Sequence, residues 1–530
     1  MTKGKKIAQA AFIIMAISIF SKVLGFVREM VIAAKYGASI NTDAYLMSIT
    51  IPTSVFAVVA GALATTFIPV LSEKVVSKSK GNAFSFTSNI LNIVFFLSIA
   101  ITVLGIIFAP ALVKIIAPKF TGERYDLTVQ LTRLMFPLIT FIGLSNVLTG
   151  VLQSFNRFAA PAAVGLPFNI IIISTALFFT DIYGIEGLTI ATVVAGLTQV
   201  LIQLPPLFKE GYKYEPIFDL SDDGVSKIST LIVPVIISTG VQQINTVVDR
   251  MMASGLAIGS ISALNYGNRL IGFVSGIFIV AIATVAYPTM SKLSASNDIL
   301  TLKKVVLKAL NVITLIILPA VAGFVVLRYP IIRLLFERGA FDQNATQMTS
   351  IALLFLSFGL IGFGMRDFLN RAFYAVQDTK TPMVNGVFTV IANILLLLFL
   401  VRFMGIGGLA LATSLSAILG TILMIHSLYK KIGDFGVKEL LSTFIKTLLA
   451  STIMGIVVDT SYKLVASINS TSTTISQAVN LFLVIGIGGL VYLLIISFLN
   501  IEEVHMVFDY GKKFVNKVTA KWVAVNIQSK

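Results

Sequence analysis

Residues 7–36 read IAQAAFIIMAISIFSKVLGFVREMVIAAKY, and this stretch decides the class of fold. It is longer than the roughly 20 apolar residues that cross a bilayer core, yet it carries Lys22, Arg28 and Glu29. An ionised side chain is costly near the bilayer centre, so such residues face a bundle interior or a water-filled cavity. The pattern returns at Asp249 and Arg250 in NTVVDRMMA, at Arg269 in NYGNRLIGF, and at Arg366 and Asp367 in GMRDFLNRAF. Basic groups spread over several apolar segments predict a helical membrane bundle around a cavity built for an anionic passenger.

Composition agrees. Of 530 residues, 56% are hydrophobic and 12% charged, with mean hydropathy +0.94, whereas soluble domains are about 25% charged. The basic leader TKGKK precedes an apolar run too long for a signal-peptide core, so the first segment reads as the first span. Net charge is +16, but the lysines cluster in short loops, as the positive-inside rule requires, which excludes a nucleic-acid partner. There is no cysteine, and His426 and His505 stand far apart; a disulfide framework and a transition-metal centre are both excluded. The chain has no GxxxxGK[ST], GxSxG or HExxH, so neither ATP hydrolysis nor familiar hydrolytic catalysis is indicated. The expectation is a transporter, not an enzyme.

Fourteen apolar stretches follow one another from 7–36 to 474–499. The predicted fold is all-α and integral to the membrane. Segments bearing Lys74, Lys78 and Lys80, Lys209 and Lys213, or Lys430 and Lys431 alternate with uncharged loops such as GASINT and FMGIGG, placing both termini in the cytoplasm. The chain also repeats itself. Pro161 and Pro382, Gly184 and Gly405, and Thr192 and Thr413 each stand 221 residues apart; Arg28 and Arg250 stand 222 apart, Pro69 and Pro288 219 apart. A near-constant offset predicts two six-helix lobes in one orientation: an N-lobe over 1–213 and a C-lobe over 214–435. Two more helices fill 436–500, and 501–530 reads as a basic amphipathic helix on the inner leaflet or as a solvated tail.

The charged residues admit two readings each. Arg28 and Glu29 form either a structural ion pair or part of a cavity wall, while Lys22 shares a face with Glu29 two turns away. Arg269 has no acid in its own segment, which points to the cavity. Asp249 and Arg250 point about 100° apart and serve different partners. Arg366, Asp367 and Arg371 read as snorkelling residues near the inner end of their span. Asp43 is either an N-cap following Asn41 and Thr42 or a cavity acid.

Several stretches together resemble the MurJ (MviN) lipid II flippase family of the multidrug/oligosaccharidyl-lipid/polysaccharide exporter superfamily: SKVLGFVREMVIAAKYGASINTDAY, FIPVLSE, NRFAAPA, LNYGNRLIGFVSGIF, LFERGAFD and RAFYAVQDTKTP. The resemblance covers roughly residues 7–435. It implies two six-helix lobes around a central cationic cavity, two C-terminal helices forming a lipid-tail groove, and residence in the bacterial inner membrane. Lipid II is the implied substrate, with membrane lipids and the cell-wall synthesis machinery as partners. Substrate-binding positions carried over are Lys22, Arg28, Glu29, Asp43 and Arg269. A basic residue common in the family's second helix is missing from the run Ile51 to Ala57. Some members resemble sodium-coupled transporters, and the matching positions are Asp249, Asn393, Leu409 (through its carbonyl) and Thr413; Leu397 stands where those members have an acid. The coupling ion implied is Na+ or H+.

Overall fold

The computed structural model describes residues 3–77, 80–468 and 473–504; the basic amphipathic helix expected over 501–530 lies almost entirely outside the described residues. Every regular element among those described is an α-helix. In chain order these are α1 (Lys3–Tyr36), α2 (Ile40–Ser77), α3 (Lys80–Ile116), α4 (Gly122–Met135), α5 (Leu138–Ser154), α6 (Ala159–Ala163), α7 (Gly165–Phe178) and α8 (Thr180–Leu201). They continue with α9 (Leu204–Lys209), α10 (Asp223–Ser254), α11 (Ser260–Ala295), α12 (Ile299–Phe336), α13 (Gln343–Ala375), α14 (Lys380–Ile432), α15 (Val437–Ile468) and α16 (Thr474–Phe498). Ten helices among the described residues are long and apolar enough to cross a membrane.

Backbone hydrogen bonds explain why only helices appear, since a lipid-embedded segment must satisfy its N–H and C=O groups internally. Where proline removes one, hydroxyls bond back to carbonyls of the same helix. Around Pro52 in α2, Thr50 donates to the Leu46 carbonyl at 2.6 Å and Thr53 to that of Ile49 at 2.5 Å. The apolar run over 126–153 is broken at Phe136–Pro137 into α4 and α5, because Pro137 cannot continue the ladder. The stretches at 381–402 and 405–429 run on as α14, bent where Gly405 takes φ 52° and ψ −123°. Its counterpart 221 residues earlier, Gly184, takes φ 54° and ψ −148° inside α8. A side chain there would be strained by about 1–3 kcal/mol, so Gly405→Ala and Gly184→Ala should each lower the thermal midpoint of the purified protein. Midpoints equal to the parent's would show the bends to be incidental.

A second pair of matched positions carries the repeat into the structure. Asn156 and Gln377, again 221 apart, both have positive φ, 58° and 57°. Each closes a helix the same way: Arg157 N–H reaches the Leu152 carbonyl at 2.7 Å, and Asp378 N–H that of Phe373 at 3.0 Å, the 6→1 bond of a Schellman motif.

The chain divides into two compact units. One holds residues up to Phe273, with Leu335–Ala352 and Val390–Ala412; the other holds Val274–Leu334, Leu353–Thr389 and the chain from Thr413 onward. In the first, α10 packs along α2. The linker before it is pinned to α3, where Asn89 exchanges two hydrogen bonds with Asp219 and Asn92 donates to the Ile217 carbonyl. The core of this unit gathers Phe67, Leu71, Phe86, Val147 and Val151. In the second unit, α15 and α16 pair around Met454, Val458, Leu481 and Val484. There Tyr492 donates to the Leu315 carbonyl at 2.7 Å, and Asn311 to the buried Glu503 at 2.8 Å.

Candidate functional site

α1 carries the centre of the site, within the first unit. Glu29 is buried, and its carboxylate binds two arginines: Arg28 donates to Oε1 at 2.6 Å and Arg269 of α11 approaches the same oxygen at 3.3 Å. Asn265, one turn before Arg269, donates to the other oxygen at 3.2 Å. The Arg28 guanidinium also donates to Asn169 of α7 at 3.1 Å and lies 5.6 Å from the Phe168 ring centre. Asn169 in turn donates to the Ser21 carbonyl, one helical stretch back along α1. Both readings of the Arg28–Glu29 pair therefore hold at once: the ion pair is what fixes the cavity wall. Arg269 does have an acidic partner, supplied by another helix, yet its side chain remains 50% exposed.

Arg28, Glu29, Arg269, Tyr45, Phe168 and Tyr266 line a cavity of about 40 Å³, room for about three waters. Tyr45 shares a hydrogen bond with Thr192 at 2.9 Å. Beneath it, Tyr266 stacks with Phe336 and Phe341 at 5.1 and 5.5 Å, which gives the polar wall a rigid apolar floor. Two guanidiniums and one carboxylate leave a net positive charge. Because Glu29 spends one oxygen on both arginines, it orients them without neutralising both. Lys22 is exposed, two turns before Glu29 on the same face of α1, and is not on the cavity wall.

Asp43 takes a different place from the one expected. It does not cap its own helix: α2 begins at Ile40, and Ser39 accepts from the Thr42 N–H. Fully buried, Asp43 instead caps α11, accepting from the N–H of Gly259 (2.8 Å) and Ser262 (2.9 Å) and from the Ser262 hydroxyl (2.6 Å). Arg124 of α4 pairs with it at 2.7 Å while lying 3.8 Å from the Phe120 ring centre. With both oxygens engaged, Asp43 is a tether among α2, α4 and α11, off the wall of the cavity.

Of the expected ion-site residues, the structure brings Asp249 and Asn393 together. Asn393 donates to Asp249 at 2.9 Å and to the side-chain amide oxygen of Asn245 at 2.9 Å; the Asn245 amide N–H reaches Asp249 at 3.5 Å. Leu409 is buried in the same unit, and Thr413 belongs to the other. For a sodium ion this set fits poorly. Hard cations take several oxygens, whereas here one carboxylate is met by amide N–H groups and Leu397 is fully buried. The described residues hold no group of three His, Cys, Asp or Glu that could bind a metal.

Asp367 pairs with Arg371 at 3.6 Å along α13. Away from the cavity, Asp222 caps α10 through the N–H groups of Gly224 and Val225 and binds Lys74 at 2.9 and 3.0 Å. Burial opposes its ionisation, but Lys74 and the two N–H groups outweigh it and hold the carboxyl below its ordinary 3.8. Its contribution is therefore complete above that value and lost as pH falls through the lower folded-state pKa. The midpoint difference between parent and Asp222→Asn should be constant at neutral pH and shrink only below about pH 4; a difference already shrinking between pH 7 and 5 would disprove the assignment.

Asn169, Asn265, Phe168, Tyr45 and Tyr266 were not singled out by the sequence. Asn169 had a signal, an amide inside an apolar segment; Tyr45 and Tyr266 had none, because tyrosine is common in helix interiors.

A helical membrane bundle that gathers two arginines on one buried glutamate is a transporter architecture. A solved inward-facing multidrug resistance MATE family transporter, described as of the MOP superfamily, shares the fold, superposing with TM-score 0.68 at 15% identity, over 80% of this chain and 98% of that one. Within that class the sequence is specific. A profile described as Lipid II flippase MurJ matches residues 32–510, and the chain belongs to the MurJ family. The probable lipid II flippase MurJ of Buchnera aphidicola subsp. Acyrthosiphon pisum (strain APS) is 32% identical over 92% of this chain and 96% of its own. That of Vibrio cholerae serotype O1 is 30% identical over 81% and 84%. A solved lipid II flippase MurJ in an inward closed conformation is 28% identical, with TM-score 0.78 over 92% of this chain and 98% of that one.

Proposed function

We propose that this protein moves lipid II from the cytoplasmic to the outer leaflet of the bacterial inner membrane, crossing that membrane fourteen times with both termini inside. The observation that carries the reading is the pair of arginines fixed by Glu29: Arg28 and Arg269 form a preorganised fork for a diphosphate. In this account the headgroup enters beside these arginines as alternating access opens the cavity. The two lobes, 1–213 and 214–435, are the moving parts in this account, with helices 436–500 serving the lipid tail. Cell-wall synthesis enzymes are the natural consumers of the product. No bond is made or broken in the passenger. The direct test is translocation of fluorescent lipid II in proteoliposomes: accumulation in the opposite leaflet supports the reading, and transport of organic cations in its place would overturn it.

For coupling, we propose proton uptake at Asp249 over sodium binding, because its neighbours present N–H groups where sodium would need oxygens. At fixed membrane potential, a pH gradient should change the translocation rate of the parent and leave Asp249→Asn unaffected, while a sodium gradient changes neither. A sodium-dependent rate abolished in Asp249→Asn would reverse the assignment.

A further inference from the structure

The repeat keeps one contact while reversing its charges. Arg157 donates to Glu210 at 2.6 Å, and Lys431 to Asp378 at 3.0 Å. Positions 157 and 378 are 221 apart, as are 210 and 431, so the base of one pair stands where the other has its acid. In both pairs the acid is covered, its side chain 12% and 9% exposed, and the base is open, at 61% and 48%. An exposed ion pair contributes little by itself. Here, though, a change of sign at one position alone would set like charges face to face, one of them largely out of water; the two halves differ at both. The contact is kept and its polarity is not. Its place is also the same in each half. Gly184, where α8 bends, stands 27 residues after Arg157 and 26 before Glu210; Gly405, where α14 bends, stands 27 after Asp378 and 26 before Lys431. Each pair joins the two stretches of chain that the bend leaves open at the other end.

In the first unit the segment so closed runs from α6 to the end of α9, and α7 packs along α8 within it. α7 carries Asn169, the acceptor of Arg28, and Phe168 beside the same guanidinium; α8 carries Thr192, which holds Tyr45. At the bend, Tyr36 of α1 donates to the Gly184 carbonyl at 2.8 Å. The segment is tied to α1 along α7 and at its bend, and Arg157 with Glu210 ties its open end. We infer that residues 157–210 form a stapled hairpin that moves as one rigid piece, and that Arg157 and Glu210 are remote positioning residues for the site. By keeping α7 against α8 they keep Asn169 and Thr192, and through them Arg28 and Tyr45, in register as the cavity opens. The inference rests on the flippase reading above.

The test uses the full-length protein in proteoliposomes with fluorescent lipid II as probe. The chain has no cysteine, so Arg157→Cys with Glu210→Cys can be bridged by a short bifunctional thiol reagent without background. Unbridged, this variant should translocate severalfold more slowly than the parent, and bridging should return most of the rate. Arg157→Asp, which sets two acids together, should also be slow; adding Glu210→Lys gives the first half the residues of the second and should recover the rate. A bridged protein that stops translocating overturns the inference, because the hairpin must then open, and leaves the flippase reading intact. Rates equal to the parent's in both the unbridged variant and Arg157→Asp also overturn it, whether or not their thermal midpoints fall, because the pair is then merely structural. Equal losses in Arg157→Asp and in its double variant with Glu210→Lys count against it in the same way. A parent that moves no lipid II overturns the flippase reading, and this inference with it.

Discussion

Arg28→Ala and Arg269→Ala should each abolish rescue of a flippase-depleted strain while leaving expression and membrane insertion near the parent's. Arg28 donates to both Glu29 and Asn169, so alanine removes the donor that the passenger would share and frees its two anchors. A loss of two charge-assisted bonds corresponds to on the order of a hundredfold or more in translocation. Arg28→Lys should recover only part, since a point charge cannot reach Glu29, Asn169 and a phosphate together. Glu29→Gln offers an internal control. The carboxylate is buried between two guanidiniums, so neutralising it leaves two like charges facing each other, and both activity and thermal midpoint should fall. If both alanine variants translocate lipid II at the parent's rate, the cavity assignment is wrong.

Asp43→Ala should be the most destabilising single substitution in the first unit, by about 3–5 kcal/mol, because it leaves Arg124 as an uncompensated buried cation. It also strips two backbone N–H groups at the start of α11 of their acceptor. Asp43→Asn retains one acceptor oxygen and should cost less. Arg124→Ala should be milder than Asp43→Ala, since the carboxylate would still cap α11, and the double variant should fall short of the sum of the two. Thermal midpoints in detergent decide the matter; an Asp43→Ala protein as stable as the parent would remove the tether from the account.

How much of this was legible follows from particular residues. The ion pair of Arg28 with Glu29 was readable as one of two alternatives, because adjacency alone brings the partners together. The repeat was readable because it is written in prolines and glycines, whose backbone demands survive packing; Gly184 and Gly405 bend their helices as a matched pair. What crosses between helices was not readable. Arg269 lacked an acid in its own segment, and nothing local announced that Glu29, 240 positions earlier, would reach it. For Asp43 the sequence left a cap of its own helix and a cavity acid both open, and could not show the terminus it serves, because that terminus belongs to α11, joined to α2 only in space.

The sequence by itself determined that this chain is a bundle of membrane helices, repeated once, with cations inside. Those properties depend on hydropathy, on length against bilayer thickness and on the cost of charge in hydrocarbon, all of which act on segments one at a time. The tertiary structure alone decided which charges neutralise one another and which stay available. One carboxylate can satisfy several donors, and the choice among them is set by distances of an ångström or less between helices far apart in the chain. So Glu29 became the shared anchor of two arginines, and Asp43 a tether removed from the cavity.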